Sequence, residues 1–222
     1  KMKTRERILL TALTLFNKHG ENAVTSVDIA LELDISPGNL YYHFKGKESM
    51  VVALMRMHEK HIQRVLVADK LDALNAEDVM YYFYLLIDSL HVFRFFYRSP
   101  ADLAEKYPSI ARQRTAILRS IQRQLTLLFT QLEKRALFSA SATDRALLVE
   151  LLSLVIFQSC QFDELNSHMD ETSQRYHALS LIMVSLLPRL AISEQQRDII
   201  RQALDSHAYT NMSQVKTNEL SE

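Results

Sequence analysis

The stretch SPGNLYYHFKGKESM, residues 36–50, concentrates side chains able to bond outward. Asn39 carries an amide that can pair with a base edge, best with adenine. Gly38 has no side chain, so its backbone can approach a surface closely. Tyr41 and Tyr42 offer flat faces to thymine methyls or sugars and hydroxyls to phosphate. His43 and Lys47 can reach phosphates, and Lys47 stands at a helix start, where the helix dipole also favours an anion. Together these groups suit the chemistry of gripping a nucleic acid. Other constellations are poorer. His58 and His61 are three apart on one helix and could share a metal, but no further ligand sits nearby, so both read as surface histidines. Cys160 lies in an apolar stretch and reads as inert packing. There is no G-x-S-x-G, no His-Glu-x-x-His and no phosphate loop. No catalytic residue, metal or cofactor is expected.

The elements that must position residues 36–50 are helices. The 222-residue chain has three glycines, Gly20, Gly38 and Gly46, all in its first quarter. Beyond residue 46 it is filled with Leu, Ala, Arg, Gln and Glu, which are helix formers. The expected class is all-α. Residues 4–19 read as a helix stopped by Gly20. A second starts at TSVDIALEL, where Thr25 and Asp28 have capping-box spacing. Ser36 caps a third with Pro37 at its first position, and Leu40 and Phe44 point inward. A fourth runs over 47–67. Two short helices joined by a tight turn, the second exposing polar tips, have the layout of a helix-turn-helix. The expected division is a reading head over 1–48, a connecting helix over 47–67, a larger helical unit over 68–207 and a frayed tail over 208–222.

In the larger unit, helices are expected at 76–97, 109–136, 142–166, 172–190 and 194–207, with a shorter piece near 100–106. The helix over 76–97 is apolar and aromatic on every side, which buries it centrally. Some of its residues could line a ligand cavity, and Tyr84, His91, Arg94 and Phe95 are the candidate contacts. Helix 109–136 carries Ile110, Ile117, Ile121, Leu125, Leu128 and Leu132 on one face and Arg112, Arg119 and Arg123 on another. That arginine face reads as solvated, as an anion site or as a dimer contact. The segments LLVELLSLVIFQSCQF and ALSLIMVSLLPRL are too apolar for surface helices of a monomer. They are expected to form a four-helix interface in a homodimer.

Composition narrows the setting. No apolar run approaches the roughly 20 residues that span a bilayer, and the N-terminus lacks a signal peptide's apolar stretch. With one cysteine the expectation is a cytoplasmic protein. Residues 1–66 hold ten Lys/Arg against seven Asp/Glu, a net of +3, which leaves −3 for the remainder of a chain with net charge zero. The asymmetry permits nucleic-acid binding without demanding it.

The stretch TRERILLTALTLFNKHGENAVTSVDIALELDISPGNLYYHFKGKESMVVAL resembles the N-terminal DNA-binding domain of the TetR family of bacterial transcriptional regulators, over about residues 4–60. LYYHFKGKESM carries most of the likeness. The resemblance implies base or thymine-methyl contacts from Gly38, Asn39 and Tyr42. It implies phosphate contacts from Thr25, Ser26, Tyr41, His43 and Lys47. Two positions depart from the pattern: Val27, where some members carry a base-reading arginine, and Asp34, where glycine is common. Aspartate tolerates the left-handed backbone expected there. Less specifically, VFRFFYRSPADLAEKYPSIARQRTAIL resembles a C-terminal regulatory domain of such proteins. The function implied is a dimeric repressor on double-stranded operator DNA, released by a small, mostly apolar effector, with no membrane partner. The alternatives are a constitutive dimeric DNA-binding protein and, further off, a helical enzyme or metal-binding protein. A non-specific nucleoid protein would need a more basic chain.

Overall fold

In a computed structural model the described residues are 3–67, 75–165 and 169–219, with side chains omitted at 76, 163–164 and 207–219. Eleven α-helices run in order: α1 Thr4–His19, α2 Ser26–Glu32, α3 Pro37–His43, α4 Lys47–Val65, α5 Ala76–Val92, α6 Phe95–Arg98, α7 Pro100–Lys106, α8 Pro108–Lys134, α9 Ala142–Leu165, α10 Glu171–Leu186 and α11 Glu194–Glu219. Among the described residues there is no strand, only an isolated antiparallel bridge between Phe138 and Leu190.

Local sequence accounts for most boundaries. At α2 the capping box is complete: the Asp28 amide donates to Thr25 Oγ1 at 3.2 Å, and the Thr25 amide donates to Asp28 Oδ2 at 2.7 Å. Ser36 Oγ accepts from the Asn39 amide at 3.1 Å, and Pro37 follows it. Asp34 takes φ +54°, and the Ile35 amide donates back to the Ala30 carbonyl, so the turn into α3 is left-handed as expected. Ile8, Ala12, Phe16, Ile29, Leu40, Phe44, Met50 and Leu54 are buried together. This small core sets α3 across α2 with one face outward.

Three expectations are corrected. The aromatic helix over 76–97 is broken: α5 stops at Val92, Phe93 leaves the helical region, and α6 is a separate short turn. A buried side chain from the reading head stabilises the break. Asn17 Nδ2 donates to the Val92 carbonyl at 2.9 Å, and the Phe95 amide donates to Asn17 Oδ1 at 3.1 Å. One amide thus satisfies two backbone groups that the break orphans. The last helix continues to Glu219 instead of ending at 207. No Gly or Pro interrupts 208–219, so a helix nucleated on the packed Ile200 and Leu204 propagates. Finally, Ala142–Phe162 is long and apolar enough to cross a membrane by length and composition. Its Leu148, Leu152 and Ile156 are nevertheless packed in the protein core.

Candidate nucleic-acid interface

Only Leu40 anchors the seven-residue α3 from within. Asn39 is exposed, Tyr41 and Tyr42 keep 57% and 78% of their surface in solvent, and His43 is half-buried. The Tyr42 ring meets His43 edge-on at 5.2 Å, and the Lys45 ammonium lies 4.5 Å from the centre of the Tyr41 ring. These contacts orient the outward groups without covering them. A Cβ built on Gly38 would meet only Ser36 Oγ, at 3.9 Å, so nothing inside the protein requires glycine there. Thr25 and Val27 are exposed and Ser26 is half-buried at the start of α2, beside this surface in sequence and fold. The Thr25 hydroxyl is held by Asp28, to whose Oδ2 it donates at 2.7 Å.

Lys47 is placed differently from its neighbours. Its ammonium donates to the Glu21 carbonyl at 2.8 Å and the Val24 carbonyl at 3.0 Å, and it pairs with Glu21 Oε1 at 3.0 Å. All three of its protons therefore have partners inside the protein. Glu21 is buried and also accepts from the Tyr107 hydroxyl at 2.6 Å and from Lys106 Nζ at 3.0 Å. Burial alone would raise the pKa of this carboxyl, but hydrogen bonds from Tyr107, Lys47 and Lys106 outweigh it and hold the value below the usual range. Lys47 thus ties the first turn of α4 to the α1–α2 connection. Glu21 ties the same corner to the α7–α8 junction. Sequence spacing could not reveal this, because Glu21 and Lys106 are 85 residues apart.

A second connection runs through α4. His58, expected at the surface, is fully buried. Its Nε2 lies 2.6 Å from the Tyr97 hydroxyl, and its ring lies 4.8 Å from that of Phe93. Burial, with the neighbouring His61, lowers its pKa to about 3. No group of three or more metal-ligating side chains occurs among the described residues.

The four expected ligand contacts do not converge. Phe95 is buried toward the reading head, 5.2 Å from the Phe16 ring. Tyr84 lies against Tyr176, with ring centres 5.6 Å apart. His91 is buried with neither ring nitrogen hydrogen-bonded to a described residue, and its pKa falls to about 3, first through burial and then through Arg175, Arg94 and Arg98. Arg94 pairs with Glu171 and lines a cleft of about 590 Å³ between α1 and the start of α10. A separate cleft of about 420 Å³ opens between α6, α8 and α9, and it includes Tyr97, Arg114 and Phe157. Arg114, outside the Arg112, Arg119, Arg123 row, was not among the expected contacts; residues 108–132 of α8 contain four arginines and no carboxylate.

An apolar face remains uncovered. Leu147, Leu151, Leu154, Phe162 and Leu165 of α9 are exposed, as are Leu181 and Val184 of α10. Those of α9 are separated by four, three, eight and three residues, steps that keep them on one helix face.

Known proteins share both halves of this architecture. The family described as "Bacterial regulatory proteins, tetR family" matches residues 8–54, and "TetR: Bacterial transcriptional repressor" matches residues 57–198. The HTH-type transcriptional regulator QacR of Staphylococcus aureus is 40% identical over 62 residues, 28% of this chain and 33% of that protein. The HTH-type transcriptional repressor KstR2 of Mycolicibacterium smegmatis is 44% identical over 52 residues, 23% of this chain and 25% of its own length. The matched stretches thus span a third or less of these relatives. A crystal structure of a TetR-family transcriptional regulator from Marinobacter aquaeolei VT8 superposes over 93% of this chain and 99% of its own, with TM-score 0.79 and 26% identity.

Proposed function

The chain belongs to the TetR family of bacterial transcriptional regulators, and from that premise we propose that it is a homodimeric repressor that reads an inverted-repeat operator with α3 and releases it when a small ligand binds. The observation that carries the DNA reading is the outward face of α3, where Asn39, Tyr41 and Tyr42 stand in solvent around one buried anchor, Leu40. In the major groove, Gly38, Asn39 and Tyr42 meet base edges and thymine methyls, and Thr25, Ser26, Tyr41 and His43 meet phosphates. Lys47 contributes through its helix. Its ammonium holds the first turn of α4 in place, and the free backbone N–H groups of that turn face a phosphate with the helix dipole behind them.

The exposed leucines of α9 and α10 support the dimer. Left in water they expose large apolar side chains on two neighbouring helices, and a second copy packed against them would bury them. Ligand control is supported by how firmly the reading head is fixed to the larger helical unit, through Asn17, Glu21 and the His58–Tyr97 pair. A ligand that shifts α6 or α8 must shift α1 or α4 as well. Operator and ligand then oppose each other by one coupling free energy, typically about 1–3 kcal/mol.

Selection of bound DNA from a random pool tests the reading. Recovered sites should be inverted repeats with half-site centres about 34–36 Å apart or more. Sites without two-fold symmetry would overturn the dimer. A chain whose affinity for the recovered site no compound changes is a constitutive DNA-binding dimer.

A further inference from the structure

The cleft between α6, α8 and α9 has an apolar body and one cationic group. Tyr97, Leu118 and Phe157 supply flat or branched apolar walls, and the Phe157 ring meets Tyr97 edge-on at 5.4 Å. Arg114 projects from α8 into the same space. It is half-buried and forms no ion pair or hydrogen bond with any described residue. Burial lowers its pKa from the ordinary arginine value, the first effect acting on it. A guanidinium removed from water without a counter-ion is costly, and an incoming carboxylate offsets that cost. Gln122 and Gln158 also line the cleft and can donate amide protons to a bound ligand.

We propose that this cleft takes a small monocarboxylate with an apolar body, held by Arg114 and packed against Tyr97 and Phe157. The proposal rests on the ligand-release reading above and names the ligand class. A phosphate or dicarboxylate fits poorly. There is one arginine in the cleft to offset charge, and Glu150 also lines it, so a second negative charge would have no cationic partner. The neighbouring face of α8 adds a field of the right sign. Arg112, Arg119 and Arg123 stand along that face, which shares Thr115 and Gln122 with the cleft. Such a row raises the local concentration of anions. The Tyr97 hydroxyl pairs with His58 of α4. A ligand seated on Tyr97 is therefore one hydrogen bond away from the helix that carries the reading head.

Calorimetric titration of the full chain with benzoate and hexanoate, each beside its neutral primary amide, tests this. Both acids should bind, with each amide at least tenfold weaker. R114Q should lose about tenfold for the acids, equivalent to about 1.4 kcal/mol. R114K should recover much of that loss, and R119Q, which removes a charge outside the cleft, should lose far less than R114Q does. Matching thermal melts for the variants separate a lost site from a lost fold. Acids that fail to bind, amides that equal them, or an R114Q chain that binds normally would each overturn the carboxylate site. Operator affinity, measured on the selected DNA, separates the two readings. Amides that release the operator where acids do not leave ligand release standing and remove the charge. Acids that bind through Arg114 without changing operator affinity keep the site and remove ligand release.

Discussion

Two tyrosine pairs in this chain meet opposite fates. In α3 both Tyr41 and Tyr42 stand in solvent, whereas in α5 Tyr81 keeps 61% of its surface and Tyr82 only 7%. Neighbours on a helix point about 100° apart. A helix packed on one narrow stripe can leave both outside, and a helix wrapped on most sides must bury at least one. The seven-residue α3 touches the core through Leu40 and its C-cap Phe44, while α5 is enclosed by α4, α9 and α10. Aromatic density therefore says little by itself. The number of elements around a helix decides whether its rings form a core or an interface.

Substitution of a ring in each region gives the largest contrast. Phe96→Ala empties a fully buried site among Phe95, His58 and their neighbours, and should cost about 3–5 kcal/mol in denaturant unfolding. Tyr42→Ala should change stability by no more than about 0.5 kcal/mol, and its loss should appear in operator affinity. A Tyr42→Ala chain that unfolds as readily as Phe96→Ala would mean that α3 is part of a core.

Acid sharpens the same contrast. His58 and His91 have folded pKa values near 3 and belong to the buried region. In the unfolded chain a histidine titrates near 6.5. Between these values the unfolded state binds more protons, so stability falls as pH drops from about 6.5 toward 3. The slope is roughly 1.4 kcal/mol per pH unit for each histidine. Unfolding midpoints across that window should show it, and His58→Leu should remove about half. A chain equally stable at pH 4.5 and 7 would contradict the burial of both rings.

How much of this was legible in the sequence follows from the range of the forces involved. Thr25 with Asp28, Ser36 with Pro37, and Asp34 in the turn act within a few residues, and each does locally what its type predicts. The outward face of α3 was legible because Leu40 and Phe44 are the apolar residues able to anchor so short a segment. The break at Phe93 was not, because no Gly or Pro marks it and its stabilising partner, Asn17, is 75 residues from Val92. The inward turn of Lys47 was hidden for the same reason. Its partner Glu21 is a buried carboxylate, and sequence gives no sign that Tyr107 and Lys106 gather on it. The four expected ligand contacts were chosen as polar handles and a ring along one aromatic helix, and the break at Phe93, which the sequence does not mark, sends their side chains to different neighbours.

At the reading surface a polar change should act on specificity. Asn39→Ala removes an exposed amide and leaves the Ser36 cap intact, because the cap bonds its backbone N–H. It should relax preference at one base pair per half-site, costing about 1–3 kcal/mol at the cognate base. Repeating the DNA selection with this variant checks it, and a uniform loss over all sequences would move Asn39 from base reading to phosphate contact.

The smallest effect isolates one atom in the buried pair. The Tyr82 hydroxyl is buried without a hydrogen-bond partner among the described residues, and burial pushes its pKa well above the ordinary phenol value. A buried hydroxyl that bonds nothing loses its water and gains nothing in return. Tyr82→Phe keeps the ring and removes the cost, so it should leave stability unchanged or raise it by up to about 1 kcal/mol. Tyr81→Phe, at an exposed hydroxyl one residue earlier, should leave the midpoint unmoved. Urea unfolding of the two single variants and the double variant separates the contributions, which should add. If Tyr82→Phe instead destabilises the chain by more than about 1 kcal/mol, the hydroxyl has a partner in the dimer or a bound water, and the enclosure of α5 is more polar than its aromatic face implies.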